Sequence, residues 1–105
     1  MTLGELGAVL DQTDVPFTYN HWERKGGQRL PCGAYRYVYD NQFFADGELY
    51  YWAGHYQIEL FTKQKDQESE SKVENALIGA GIVYEKSETY LSDLGQYQII
   101  YEIEV

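Results

Sequence analysis

The sequence predicts an α+β domain, with a mostly antiparallel sheet and two helices packed on one of its faces. Residues 55–63 alternate, so that one face carries Tyr56, Ile58, Leu60 and Thr62, which is typical of a strand with one buried face. After Asp66 the apolar residues recur at helical spacing. Two further apolar strands end the chain. A length of 105 residues corresponds to a single domain, residues 1–105.

The first part of the chain predicts a helix, a strand and a loop. Thr2 and Glu5 form a capping box at the start of a helix over residues 2–11. Residues 15–22 read as a strand. The loop at residues 23–29 holds three of the eight basic residues. A solvated loop is favoured there over an anion site, because no helix start follows to supply aligned N–H groups.

The middle of the chain predicts an antiparallel meander. Residues 30–39 form a strand in which Tyr35, Tyr37 and Tyr39 share one face, and residues 40–41 end it. The pair at residues 46–47 is Asp-Gly, which favours a two-residue hairpin turn. Residues 53–54 then turn the chain into the strand that starts at His55.

The last part predicts a helix followed by two strands. Asp66 is a good helix N-cap, and Gly79 and Gly81 end the helix. Residues 82–90 and 96–105 are strands, joined near residues 92–95. In the second of them one face carries Tyr97, Ile99, Tyr101, Ile103 and Val105. The predicted order is therefore helix, several strands, helix, two strands.

Composition narrows the classes of partner. The net charge is -9, which argues against tight nucleic-acid binding, because phosphates require Lys and Arg. The eleven tyrosines suit half-buried strands and also protein interfaces. The sequence shows no membrane-spanning run and no signal-peptide pattern. The single cysteine predicts synthesis in a reducing cytoplasm.

The sequence offers no clear catalytic, cofactor or metal site. Cys32 is expected to be a small core residue. His21 and His55 lie beside aromatic residues, where the expected role is packing or a surface hydrogen bond. There is no Cys-x-x-Cys, His-x-x-x-His or calcium-loop spacing, and no glycine-rich phosphate loop. We therefore expect no enzymatic activity and no cofactor.

The hairpin around Asp-Gly is the predicted interface. Consecutive strand residues point to opposite faces, so one member of Phe43-Phe44 and one of Tyr50-Tyr51 must meet solvent or a partner. The alternative is that the first helix or the loop at residues 23–29 covers them. The predicted interface residues are Phe43, Phe44, Asp46, Gly47, Tyr50 and Tyr51.

Several segments together resemble a known family. They are Val15-Pro16-Phe17, His21-Trp22, Leu30-Pro31, residues 40–47, residues 56–63, residues 80–86 and residues 101–105. Phe-Phe-Ala-Asp-Gly and Ala-Gly-Ile-x-Tyr-Glu are the most specific of these. The chain resembles the small tail-completion or tail-terminator proteins of long-tailed phages and prophages of Gram-positive bacteria. Cys32-Gly33 is less apolar than the family leads us to expect.

The resemblance implies a structural virion protein, made in the host cytoplasm and located in the tail or neck. Its copies would form a ring, usually hexameric, that caps the tail tube and joins the tail to the head. The implied partners are further copies of the chain, the tail tube protein and a head-side connector or stopper protein. The resemblance brings no catalytic residues. Two alternatives stay open: an acidic module that binds a basic protein, and a small hydrolase using His21 or His55.

Overall fold

The chain forms seven elements, described in a computed structural model that covers residues 1–20, 29–45 and 47–105, with the backbone alone at residues 43–45 and 48–52. They are α1 (Leu3–Asp11), β1 (Phe17–Tyr19), β2 (Cys32–Ala45), β3 (Glu48–Thr62), α2 (Gln67–Gly79), β4 (Tyr84–Leu91) and β5 (Gln96–Glu104). The strands form one sheet in the order β1-β2-β3-β5-β4. β1 and β2 are parallel, and the other neighbours are antiparallel. The predicted α+β class and element order are confirmed.

Both helices contribute to one hydrophobic core against the same face of the sheet. Leu6 and Leu10 of α1 and Val73 and Leu77 of α2 are fully buried in it. The strands supply the residues that the alternating pattern predicts, namely Ile58, Leu60, Ile99, Tyr101 and Ile103. Each buried aliphatic side chain contributes about 1.5–3 kcal/mol, so this face carries most of the stability. We call it the helix face and the other the open face.

The helix ends follow from local sequence. The hydroxyl of Thr2 accepts a hydrogen bond from the backbone N–H of Glu5 at 3.1 Å, and the Glu5 carboxylate accepts one from the Thr2 N–H at 3.1 Å. Asp66 caps α2 by accepting from the Ser69 N–H at 3.0 Å. Gly81 has a φ of +75°, which lets the chain leave the helix for β4.

Gly33 allows β1 to pack closely beside β2. A Cβ on Gly33 would lie 2.1 Å from the ring of Phe17, so any other residue would displace that ring. Despite its low apolarity, the Cys32-Gly33 segment pairs with its neighbours: Gly33 is opposite Phe17 of β1 and Leu60 of β3. Cys32 is buried, as its expected role in packing requires.

The first strand is shorter than predicted. It ends at Tyr19, because Asn20 takes a left-handed conformation with a φ of 74°. His21 and Trp22, which the prediction included, lie outside the described residues. So does the basic loop apart from Arg29, which is exposed.

The predicted breaks in the middle of the chain are wrong. β2 continues through Asp40 and Asn41, which pair with Gly54 and Ala53 of an equally uninterrupted β3. Gly54 is a site of close approach and not a turn: a Cβ there would lie 2.9 Å from the ring of Tyr56. Two predicted strands are therefore one strand of 15 residues.

A β-bulge moves Tyr39 away from the face predicted for it. Tyr37 pairs with Tyr56 and Tyr39 with His55, so Val38 is an extra residue in β2. Tyr39 consequently lies on the open face, where its ring stacks on the His55 ring with 4.7 Å between centroids and 4° between planes. Tyr35 and Tyr37 keep the helix-face register.

Two adjacent residues of α2 provide a matched test of the core. Leu77 is fully buried, whereas Ile78 is 62% exposed. We expect Leu77→Ala to lower the free energy of unfolding by about 2–4 kcal/mol, because it leaves a cavity. Ile78→Ala should change it by less than about 0.5 kcal/mol. Urea unfolding followed by circular dichroism measures both; equal losses would contradict the assigned core.

Candidate functional site

The sheet extends into a two-stranded projection that we call the arm, residues 40–45 of β2 and 48–53 of β3. β5 pairs with β3 only from Thr62 to His55, and Gly54 exchanges two backbone hydrogen bonds of 3.0 Å with Val105. Beyond that point, among the described residues, the arm strands pair only with each other. Six residues per strand correspond to roughly 20 Å. The molecule measures 50 Å along its longest axis and 27 and 22 Å along the other two.

The predicted interface residues lie at the tip of this arm. The backbone of Phe43 pairs with that of Tyr51, and Phe44 pairs with Leu49. Gly47 has a φ of +77° and belongs to the turn, as the Asp-Gly pair predicts. Asp46 itself lies outside the described residues.

Tyr50 departs from the predicted alternation at the level of the backbone. The register shift between the Phe43 and Phe44 pairs leaves Tyr50 as an extra residue in β3. Strict alternation of Tyr50 and Tyr51, which the prediction assumed, is therefore interrupted by a bulge. Phe43 and Phe44 stay consecutive in β2, and the argument from alternation still applies to them.

A second surface feature lies at the base of the arm, where β4 begins and β5 ends. It is an open groove of about 480 Å³, lined by Tyr39, His55, Val83, Tyr84, Glu85, Glu102, Ile103 and Glu104. Its lining comes from β2, β3, the end of β5 and the start of β4. The sequence did not predict this groove. The available signal was the polar alternation of Glu102 and Glu104 in β5, but the strand order and the Val38 bulge are needed to bring them beside Tyr39.

His55 lies between two groove carboxylates. Its Nε2 atom is 3.5 Å from Oε1 of Glu102, and its buried Nδ1 atom is 3.5 Å from Oε1 of Glu104 without forming a hydrogen bond. A neutral imidazole carries one N–H, so both nitrogens can donate only when the ring is protonated. In the neutral form, His55 can therefore donate to only one of the two carboxylates.

Neighbouring side chains hold the two carboxylates in place. Gln57 Nε2 donates to Glu102 Oε1 at 3.2 Å, and Arg36 Nη2 donates to the Gln57 carbonyl oxygen at 2.6 Å. The amide of Asn41 donates to Glu104. This chain of contacts joins β2, β3 and β5 across the open face and leaves the guanidinium outside the groove lining.

The helix face carries a separate cluster of charges between α2, β4 and β5. Glu70 is only 3% exposed and binds two lysines: Lys86 Nζ is 2.6 Å from its Oε1 atom, and Lys65 Nζ is 3.0 Å from its Oε2 atom. Lys65 also contacts Glu88. Because its buried charge is compensated twice, Glu70 is a structural anchor for α2.

Glu74 completes that cluster. It accepts hydrogen bonds from the Tyr101 hydroxyl at 2.7 Å and from Lys86 at 2.8 Å. Burial raises the pKa of the Glu74 carboxyl, but these two partners outweigh burial and hold it below its usual range. Burial lowers the pKa of Lys86, and its contacts with Glu70 and Glu74 more than reverse this, to about 12. Burial and the Glu74 charge raise the pKa of Tyr101.

The hydrolase alternative uses His21 or His55, and Cys32 is the chain's single cysteine. The thiol of Cys32 is buried, and burial raises its pKa, which disfavours the thiolate that a nucleophile requires. His55 lies in the groove, and His21 lies outside the described residues. Among the described residues, no group of three or more His, Cys, Asp or Glu could hold a metal ion.

Acid should weaken the contribution of Glu74 to stability. Its pKa is lowered in the folded state, so the stabilisation is complete above the unfolded-state value, near 4.5, and is lost as the pH falls through the folded-state value. We expect Glu74→Gln to be destabilising at pH 7 and less so at pH 3.5. Urea midpoints at both pH values measure this, with exposed Glu68→Gln as control. A Glu74→Gln penalty independent of pH would contradict the assigned network.

No helix in the described part of the chain is long and apolar enough to cross a membrane. The sequence matches no protein-family model, and it shows no significant similarity to a curated protein.

Proposed function

We propose that this protein is a structural subunit of a phage virion that assembles as a ring, expected to be a hexamer, at the end of the tail tube. The ring caps the tube and joins the tail to the head through a connector or stopper protein. The observation that carries this proposal is the arm. The arm extends past the end of β5, and its sequence concentrates aromatic and apolar residues, namely Phe43, Phe44, Leu49 and residues 50–52.

An arm of this kind is costly unless a partner covers it. An isolated two-stranded hairpin is at best marginally stable in water, and edge strands with apolar side chains promote association. Contact with a neighbouring subunit or with the tube protein would supply the packing surface that the two arm strands lack. Because the arm of one copy would bind a different surface on the next copy, such contacts are head-to-tail and close into a ring when the rotation permits.

The charge of the chain suits a passage for DNA. A net charge of -9 repels phosphate, so a ring of these subunits lets DNA through without holding it. The proposal requires no catalytic residue and no cofactor.

A second candidate function is an acidic module that binds a basic protein as a monomer. The observation that favours it is the groove, whose lining has three carboxylates and no lysine or arginine. The two candidates differ in assembly, so the oligomeric state in the particle separates them.

Assembly is the direct test of the ring. We expect several copies per particle, six if the ring is hexameric, located between tail tube and head. Mass photometry of the free protein and cryo-electron microscopy of particles provide the measurement. The proposal allows the free protein to be monomeric, because a ring that closes only on the tail tube does not assemble prematurely. One or two copies in the particle would refute the ring.

Substitution at the arm tip tests which surface joins the copies. We expect one of Phe43→Ser and Phe44→Ser, the one whose side chain meets the partner, to abolish ring formation or tail joining. Because both positions lie beyond the end of β5, each should change the free energy of unfolding by less than about 1 kcal/mol. Leu94→Ser is the matched control, because Leu94 is an apolar residue 58% exposed in the turn at the opposite end of β5.

The two arm variants and the control give separable results. Assembly lost at the arm and kept in Leu94→Ser supports the proposed contact. If both arm variants unfold the protein, or if both assemble normally, the arm is not the joining surface.

A further inference from the structure

We propose that the groove at the base of the arm binds an arginine side chain of a partner protein. The inference rests on the groove's own chemistry and holds whether or not the chain forms a ring. A volume of about 480 Å³ is in the range of pockets that enclose a small ligand or an anchoring side chain with its neighbours.

The first argument is uncompensated charge. Glu85, Glu102 and Glu104 line the groove, and no lysine or arginine does. Glu102 and Glu104 use their Oε1 atoms for the contacts with Gln57, Asn41 and His55. Among the described residues, no hydrogen bond reaches their Oε2 atoms. Each carboxylate therefore keeps an acceptor for an incoming donor.

The second argument is the shape and nature of the walls. The stacked rings of Tyr39 and His55 form one wall, and Tyr39 is 46% exposed. A guanidinium is planar and weakly hydrated, and it stacks on aromatic faces while its edge binds a carboxylate. Val83 is 86% exposed at the other side of the groove, where it can pack against the aliphatic stem or an adjacent apolar residue.

The third argument separates arginine from other cations. The described residues include no cluster fit for a metal ion. The groove carboxylates come from the end of β5 and the start of β4, and this spacing suits a ligand whose donors are spread apart. Arginine has five N–H donors in a rigid fork, whereas lysine is a compact and strongly hydrated point charge. The groove should therefore prefer arginine to lysine at equal charge.

The test uses the full chain labelled with ¹⁵N and three short capped peptides, Val-Arg-Gly, Val-Lys-Gly and Val-citrulline-Gly. Citrulline has nearly the shape of arginine but no charge. We expect the arginine peptide to cause saturable shifts in the amide signals of His55, Glu102 and Glu104, with a dissociation constant of about 1 mM or below. The lysine peptide should bind at least threefold more weakly, and the citrulline peptide should give no saturable shift.

Variants assign the binding to the two carboxylates. Glu102→Gln and Glu104→Gln should each weaken the arginine peptide at least fivefold, whereas Glu68→Gln, which removes a carboxylate 84% exposed on α2, should not. Equal binding of arginine and citrulline peptides, shifts that map away from the groove, or full binding by both groove variants would overturn the proposal. If a variant is unfolded, the comparison of the three peptides on the unaltered chain still decides.

Discussion

The backbone pairing of β3 determines the shape of the molecule. Over residues 55–62 this strand has a partner on each side, β2 and β5, and its inward residues Ile58 and Leu60 are fully buried. At Gly54 the second partner ends, and the remaining residues of β3 pair with β2 alone. The same strand is thus a core element in one half and a projecting element in the other. The place where β5 ends creates both the arm and the groove beside it.

The parts of the fold that depend on local signals could be predicted from the sequence. Thr2 with Glu5 and Asp66 mark the starts of the two helices by hydrogen bonding, and Gly81 marks the end of α2 by its backbone freedom. The period of two in residues 55–63 and 97–103 identifies the buried face, because every second side chain of a strand points to the same side of the sheet. These signals need no knowledge of which strand lies beside which.

The errors have a common physical origin. Asp40-Asn41 and Ala53-Gly54 are turn-forming pairs by composition, yet they face each other across the ladder and so occupy strand positions. Gly33 is needed for the ring of Phe17 on the neighbouring strand β1, which is a tertiary reason for a glycine. The bulge at Val38 likewise leaves no local mark. Each of these features depends on the neighbouring strand, and local propensity does not specify which strand that is.

The two candidate surfaces, the arm tip and the groove, differ in the same respect: the first depends on local sequence and the second on strand order. The arm tip could be predicted because a hairpin is a local structure and its aromatic residues are adjacent in sequence. The groove could not, because Tyr39, His55, Val83 and Glu104 come together only through the strand order and the displaced register of β2. A polar alternation in β5 indicates a solvated face as well as it indicates a binding groove. It does not show which aromatic rings lie beside that face.

Glutamates on opposite faces of the sheet have different roles: one group fastens α2 to the sheet, and the other lines the groove. On the helix face, Glu70 and Glu74 have lysine and tyrosine partners, and these contacts fasten α2 to the sheet. In the groove, Glu102 and Glu104 have the amides of Gln57 and Asn41 and the ring of His55 as neighbours. The guanidinium of Arg36 is bonded to Gln57 and does not line the groove. A compensated carboxylate gains little from a further cation, whereas an uncompensated one in a partly enclosed site gains from any cation that reaches it. Of these two groups, the groove glutamates are the ones that no lysine or arginine of the groove compensates, and they lie at the base of the arm, next to the surface that the proposed assembly would cover.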